Sequence, residues 1–218
     1  MEQNIHFICL GETPEWAESN IDRFRRLNPG WRVMIHGDIP EGLPDVYRAA
    51  LAKAMTVGGQ CDILRMAVLE MFGGWYFDWD VYALRPVAET KTNALLGAKL
   101  LLWQIPHCGG FLGSSICAAA KDSVAWPVVH EVMASIARGE SPDPRYFERF
   151  MCDTFRFKRP ELYTIGDVSE FTIQNDYWPK DKEFYGRLLA GETMDTNACA
   201  FLHGWAETSV RPAVVLGE

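Results

Sequence analysis

Asp78 and Asp80 stand with one residue between them, and Asp62 and Arg65 stand three apart a short way upstream. Two aspartates at that spacing offer hard carboxylate oxygens, the donors that Mg²⁺ and Mn²⁺ prefer, and a divalent ion in turn suits a diphosphate. Positions three apart share one face of a helix, so Asp62 and Arg65 can act together. A carboxylate that accepts and a guanidinium that donates can hold hydroxyls and phosphate oxygens. The plainer reading is an ion pair on a helix, worth a few tenths of a kcal/mol. The plainer reading of an isolated Asp-x-Asp is a solvated turn.

These four residues need a helix, a break and a strand to place them. Ile63, Leu64, Ala67, Val68 and Met71 form an apolar stripe, which predicts a helix from about residue 60. Gly73-Gly74 ends it, because glycine accepts the left-handed backbone of a helix C-terminus. Trp75, Tyr76 and Phe77 favour a strand, and a regular strand puts Asp78 and Asp80 on the same face.

Upstream, residues 5–10 read as a short apolar strand closed by Gly11, as in the centre of an α/β sheet. A helix capped by Thr13 with Pro14 at its start follows, then an Asn28-Pro29-Gly30 turn and a second strand over 31–36. Residues 44–54 read as a helix, and residues 94–102 as either a strand or a short helix. Residues 107–115 are glycine-rich, and residues 126–138 are a clear amphipathic helix. The stretch 140–160 mixes Pro, Arg, Phe and Asp, and the wider span 140–180 reads as an acceptor-facing loop or small subdomain, or equally as a surface linker. Short strands are expected at 163–166, at 171–173 and within 199–205.

With 218 residues, 48% of them hydrophobic, the chain can bury one core, so a single domain over 1–218 is expected. The net charge of −8, from 21 basic and 29 acidic residues, disfavours a nucleic-acid partner. Its six cysteines show no C-x-x-C and no metal-ligand spacing. No signal-peptide pattern and no run of eighteen apolar residues occurs, so no transmembrane segment is expected and the cytoplasm is the expected setting.

The string Cys61-Asp62, Arg65, Leu69, Gly73-Gly74, Tyr76, Asp78, Asp80, Pro86 resembles the signature of the DXD-motif sugar transferases of glycosyltransferase family 32. That family includes yeast mannosyltransferases and is related to the glucosylating clostridial toxins. The resemblance is strong over residues 60–86 and weaker elsewhere. It implies an α/β fold of the GT-A type, a mixed central sheet flanked by helices, that binds a nucleotide-sugar. The implied activity is metal-dependent, retaining transfer of a sugar from a UDP- or GDP-sugar to an acceptor hydroxyl on a glycan, a lipid-linked saccharide or a protein.

By the same resemblance, Asp80 is a direct ligand of Mn²⁺ or Mg²⁺, Asp78 acts through water or on the donor, and His203 completes the metal shell. Asp62 and Arg65 would hold the sugar ring and, with Asp80, form the catalytic set. Leu10, Gly11, Gly74, Tyr76, Trp205 and Ser209 join Asp62, Arg65 and Asp78 in the substrate-binding set. The family's tryptophan at the end of the first strand, which stacks on uracil in the toxins, is replaced here by Cys9-Leu10-Gly11. Two other readings stand beside this one. Tyr76-Phe-Asp-Trp-Asp-Val81 resembles the first motif of haloacid-dehalogenase-like phosphatases, and a degenerate transferase would bind a nucleotide-sugar or glycan without turnover.

Overall fold

The structure is a computed structural model that describes residues 2–11, 15–95, 97–105, 111–166, 171–173 and 201–203. In chain order the elements are β1 (Asn4–Ile8), α1 (Glu15–Leu27), β2 (Arg32–His36), α2 (Asp45–Leu51), α3 (Val57–Phe72), β3 (Gly74–Phe77) and β4 (Val81–Ala83). They continue with α4 (Lys91–Leu95), β5 (Leu100–Ile105), β6 (Phe111–Ala119), α5 (Trp126–Ala137), α6 (Glu148–Lys158), β7 (Tyr163–Ile165), β8 (Phe171–Ile173) and β9 (Phe201–His203).

The central strands are apolar on both faces, and their alternation sorts the core in two. Ile5, Phe7, Trp75, Phe77, Leu101, Trp103 and Ile116 pack with Ile21 and Phe24 of α1. Ile8, Tyr76, Leu100, Leu102 and Cys117 pack with the helix layer of α2, α3, α5 and α6. Helices on both faces explain why these strands read as continuous apolar runs.

Six strands form a mixed sheet in the order β2-β1-β3-β6-β5-β7. Strand β1 runs parallel to β2 and to β3, while β6 is antiparallel to β3 and β5. Parallel pairing puts the carboxyl ends of β1 and β3 at one edge, where open α/β sheets place their ligands. A second sheet, β4-β9-β8, takes the chain onward from Val81.

Gly74 is required by a close approach. Its φ is 107°, and a Cβ there would lie 2.4 Å from the Asn4 carbonyl oxygen. The turn out of α3 therefore sits hard against β1.

Within the 140–180 span, expected as a loop or small subdomain, residues 148–158 form helix α6. Met151, Cys152 and Phe155 are its buried stripe. Its N-cap, Phe147, makes no side-chain capping bond, so the local start signal is missing.

Buried His6 and half-buried His36 form a pair beside Phe72, with ring centroids 5.3 Å apart. His6 Nε2 lies 2.8 Å from the Gly73 carbonyl, so it must be the protonated nitrogen and donate. His6 Nδ1 then accepts from His36 Nε2 at 3.1 Å. Burial lowers both side chains to about 4 from the usual 6.5. The unfolded chain takes up these protons as pH falls below about 6.5, and the folded chain resists until about 4. Stability is thus complete above pH 6.5 and is lost as pH falls to 4, by roughly 3 kcal/mol for fully buried His6. Urea unfolding at pH 7 and pH 4.5 should show a smaller drop for His6→Gln than for wild type. Equal drops would mean the pair carries no acid sensitivity.

Candidate active site

Arg65 is the centre of a buried ionic cluster. Helix α3 is buried all round from Asp62 to Leu69, and it carries this one guanidinium into the protein. Its Nη2 lies 2.9 Å from Asp62 Oδ1 and 3.3 Å from Asp78 Oδ1, and its Nη1 lies 3.5 Å from Glu148 Oε1. Nη1 also donates to Ser114 Oγ at 2.9 Å, and the guanidinium carbon stands 5.0 Å over the Tyr76 ring. One Arg with five fixed donors can serve all these partners.

Each partner is itself held. The Tyr76 hydroxyl donates to Asp78 Oδ1 at 2.5 Å, and the Asp78 amide donates to Ser115 of β6. Ser114 Oγ donates to Glu148 Oε1 at 3.0 Å. Asp62 uses Oδ1 on Arg65, while its Oδ2 accepts from the amides of Phe147 at 2.8 Å and Glu148 at 3.0 Å. Asp62 thus caps α6 from across the fold, supplying the anion that a helix N-terminus favours. Burial pushes the Asp62 carboxyl above its ordinary value, while Arg65 and the two amides pull it back.

The cluster has a closed end and an open end. Side-chain exposure is 6% for Arg65 and 7% for Asp62, but 22% for Asp78 and 31% for Glu148. A ligand therefore meets Asp78 and Glu148 first.

Strand β3 stops at Phe77, so the expected regular strand through both aspartates does not occur. The Val81 amide donates to the Asp78 carbonyl at 2.9 Å, closing a tight turn that carries Asp80. Asp80 is buried, beside Asp78 in that turn and at the carboxyl edge of the sheet. Strand β9 pairs antiparallel with β4, setting His203 opposite Val81. The backbone of the third expected ligand is thereby one residue from Asp80; its side chain lies outside the described ones.

Leu10 and Gly11 follow β1 at the same edge as Asp78, Leu10 buried and Gly11 at φ 75°. Gly74 is at the far end of β3 against Asn4, roughly 13 Å from Asp78 at about 3.3 Å per residue. Trp205 and Ser209 lie outside the described residues. Ser114 and Glu148 join the cluster without any sequence motif to mark them.

No family model matches the sequence, and no curated protein does. Solved structures do. Mouse xyloside xylosyltransferase 1 in its apo form superposes with a TM-score of 0.59 at 11% identity, over 95% of this chain and 99% of that one. The fold is that of the GT-A glycosyltransferases. PaToxG glycosyltransferase gives 0.57 at 15% identity over 73% and 70% of the two chains. The galactosyltransferase LgtC, in complex with donor and acceptor sugar analogues, gives 0.52 at 13% identity over 94% and 87%. At these identities the likeness is one of fold and singles out no family.

Among the described residues no three His, Cys, Asp or Glu side chains gather as a ready-made metal cage. Asp78 and Asp80 alone suit an ion of the Mg²⁺ or Mn²⁺ type. Such ions are held by one or two carboxylates and complete their shell with water and substrate phosphates. The donor set fits.

Proposed function

We propose that this chain is a retaining glycosyltransferase that uses Mn²⁺ or Mg²⁺ and moves a sugar from a UDP- or GDP-sugar to an acceptor hydroxyl, within or close to family 32. The observation that carries the reading is the Asp78-Trp79-Asp80 turn at the carboxyl edge of a GT-A sheet, braced by the Arg65 cluster. Asp80 would hold the ion with Asp78 beside it, and His203 is the candidate third ligand from β9. The bound ion supplies charge stabilisation to the departing diphosphate. Arg65 fixes Asp78 and, through Asp62, the start of α6, so that Asp78 and Glu148 present oxygens towards the donor sugar. Leu10 and Gly11 border the nucleotide, with Trp205 and Ser209 as further candidates.

Retention fits front-side attack in which the leaving phosphate takes the acceptor proton, since no protein nucleophile is required. Residues 140–147, beside Glu148, are the acceptor side, and the acceptor is a glycan, a lipid-linked saccharide or a protein hydroxyl. Among the described residues no helix is long and apolar enough to cross a membrane. The proposed setting is the cytoplasm, the ordinary one for a chain whose six cysteines are scattered.

A panel of UDP- and GDP-sugars with Mn²⁺ tests the reading. At about a hundred times its Kd a true donor adds about 2.7 kcal/mol and raises Tm by roughly 5–10 °C. Mn²⁺-dependent release of UDP or GDP from that donor should follow. A panel with no shift and no release would end the transferase assignment; a shift without release under any metal would favour a binding protein.

A further inference from the structure

We infer that Asn20 of α1 is a positioning residue that sets the place of Asp80. This rests on the transferase reading, in which Asp80 takes the ion. Asp80 lies between two sheets: β3 ends at Phe77 in the first, and β4 begins at Val81 in the second. Neither ladder includes residue 80, so its place depends on what grips the chain to either side.

That grip comes from α1. Asn20 Nδ2 donates to the Trp79 carbonyl at 2.9 Å and to the Val81 carbonyl at 2.6 Å. One side-chain amide thus spends both its hydrogens on the two carbonyls that bracket Asp80. The same face of α1 continues the hold. Arg23 Nε donates to the Ala83 carbonyl at 2.5 Å, and Asn28 Oδ1 accepts from the Val87 amide at 2.7 Å. Phe24, one turn on, packs into the core, its ring centroid 4.7 Å from that of Phe77 and 5.0 Å from that of Phe7.

Asn20 is fully buried, so water cannot substitute for its two bonds. Its Oδ1 is buried with no partner among the described residues. A leucine there would leave the Trp79 and Val81 carbonyls without their donor. Two donors on a short side chain are what the turn requires: Asp supplies none when ionised, and Ser supplies one. Groups one step behind a metal ligand act by fixing its direction, and their loss typically weakens metal binding 10- to 100-fold.

The experiment is Mn²⁺ titration followed by the loss of free-ion paramagnetic resonance signal, with UDP or GDP present, on wild type, Asn20→Leu and Phe24→Leu. Asn20→Leu should weaken Mn²⁺ binding by about tenfold. Phe24→Leu, which loosens the same helix by packing alone, should lower Tm and leave Mn²⁺ affinity unchanged. If Asn20→Leu does not fold, Asn20→Ser, which keeps one donor, is read for a smaller shift in the same direction. Wild-type binding with no change in the folded Asn20 variant overturns the inference alone, as does an equal loss in Phe24→Leu. If wild type takes up no Mn²⁺ with either nucleotide, the transferase reading falls and this inference falls with it.

Discussion

Arg65→Met is expected to lower the unfolding free energy by about 3–5 kcal/mol, the usual result of removing one partner from a buried ionic group. Methionine fills the space, but it leaves Asp62, Asp78 and Glu148 without the cation that three of their oxygens face. Asp62 and Arg65 are at the closed end of the cluster, so water cannot take over fully there. For a chain of this size the change is a fall in Tm of roughly 10 °C. Arg65→Lys should recover only part of the loss, because one ammonium cannot reach Asp62, Asp78 and Ser114 in the geometry of a planar fork. Thermal and urea unfolding of the three proteins give the comparison. An Arg65→Met protein as stable as wild type would show that the cluster does not organise the fold around it.

The same cluster shows what the sequence made legible and what it did not. Asp62 and Arg65 are neighbours on one helix, and Asp78 and Asp80 stand in one short string, so a resemblance confined to that string singles them out where spacing alone does not. Two-sided burial of the strands was also visible, because helices on both faces leave unbroken apolar runs such as Leu100 to Trp103. The rest is tertiary. Ser114 meets Arg65 across 49 residues, Glu148 meets Ser114 across 34, and Asn20 reaches Val81 across 61. No periodicity records such contacts.

Helix α6 went unread for a related reason. Its cap is Asp62, 85 residues before Phe147, so the start signal sought beside the helix sits elsewhere. The turn at Asp80 was hidden in another way. Residues 74 to 83 are aromatic or apolar apart from the two aspartates, and only pairing with β9 shows that the chain has changed sheets at Val81. A strand regular through Asp78 and Asp80, the condition for a shared face, does not form there.

Asp78 and Asp80 should separate by experiment. Asp80→Asn keeps the shape of the side chain, so its Tm gives a measure of stability to set beside its activity. If Asp80 holds the ion, transfer should fall by roughly 10³-fold, since charge stabilisation of the leaving group is worth several kcal/mol. Asp78→Asn removes charge from a carboxylate that accepts from both Tyr76 and Arg65. It should therefore lose activity and stability together. Initial rates with the best donor, at saturating Mn²⁺, and a thermal melt of each variant give the pattern. An Asp80→Asn enzyme with wild-type kcat would remove Asp80 from the reaction. A large loss of stability in that variant, with activity falling in proportion to the folded fraction, would make it a structural residue of the turn instead.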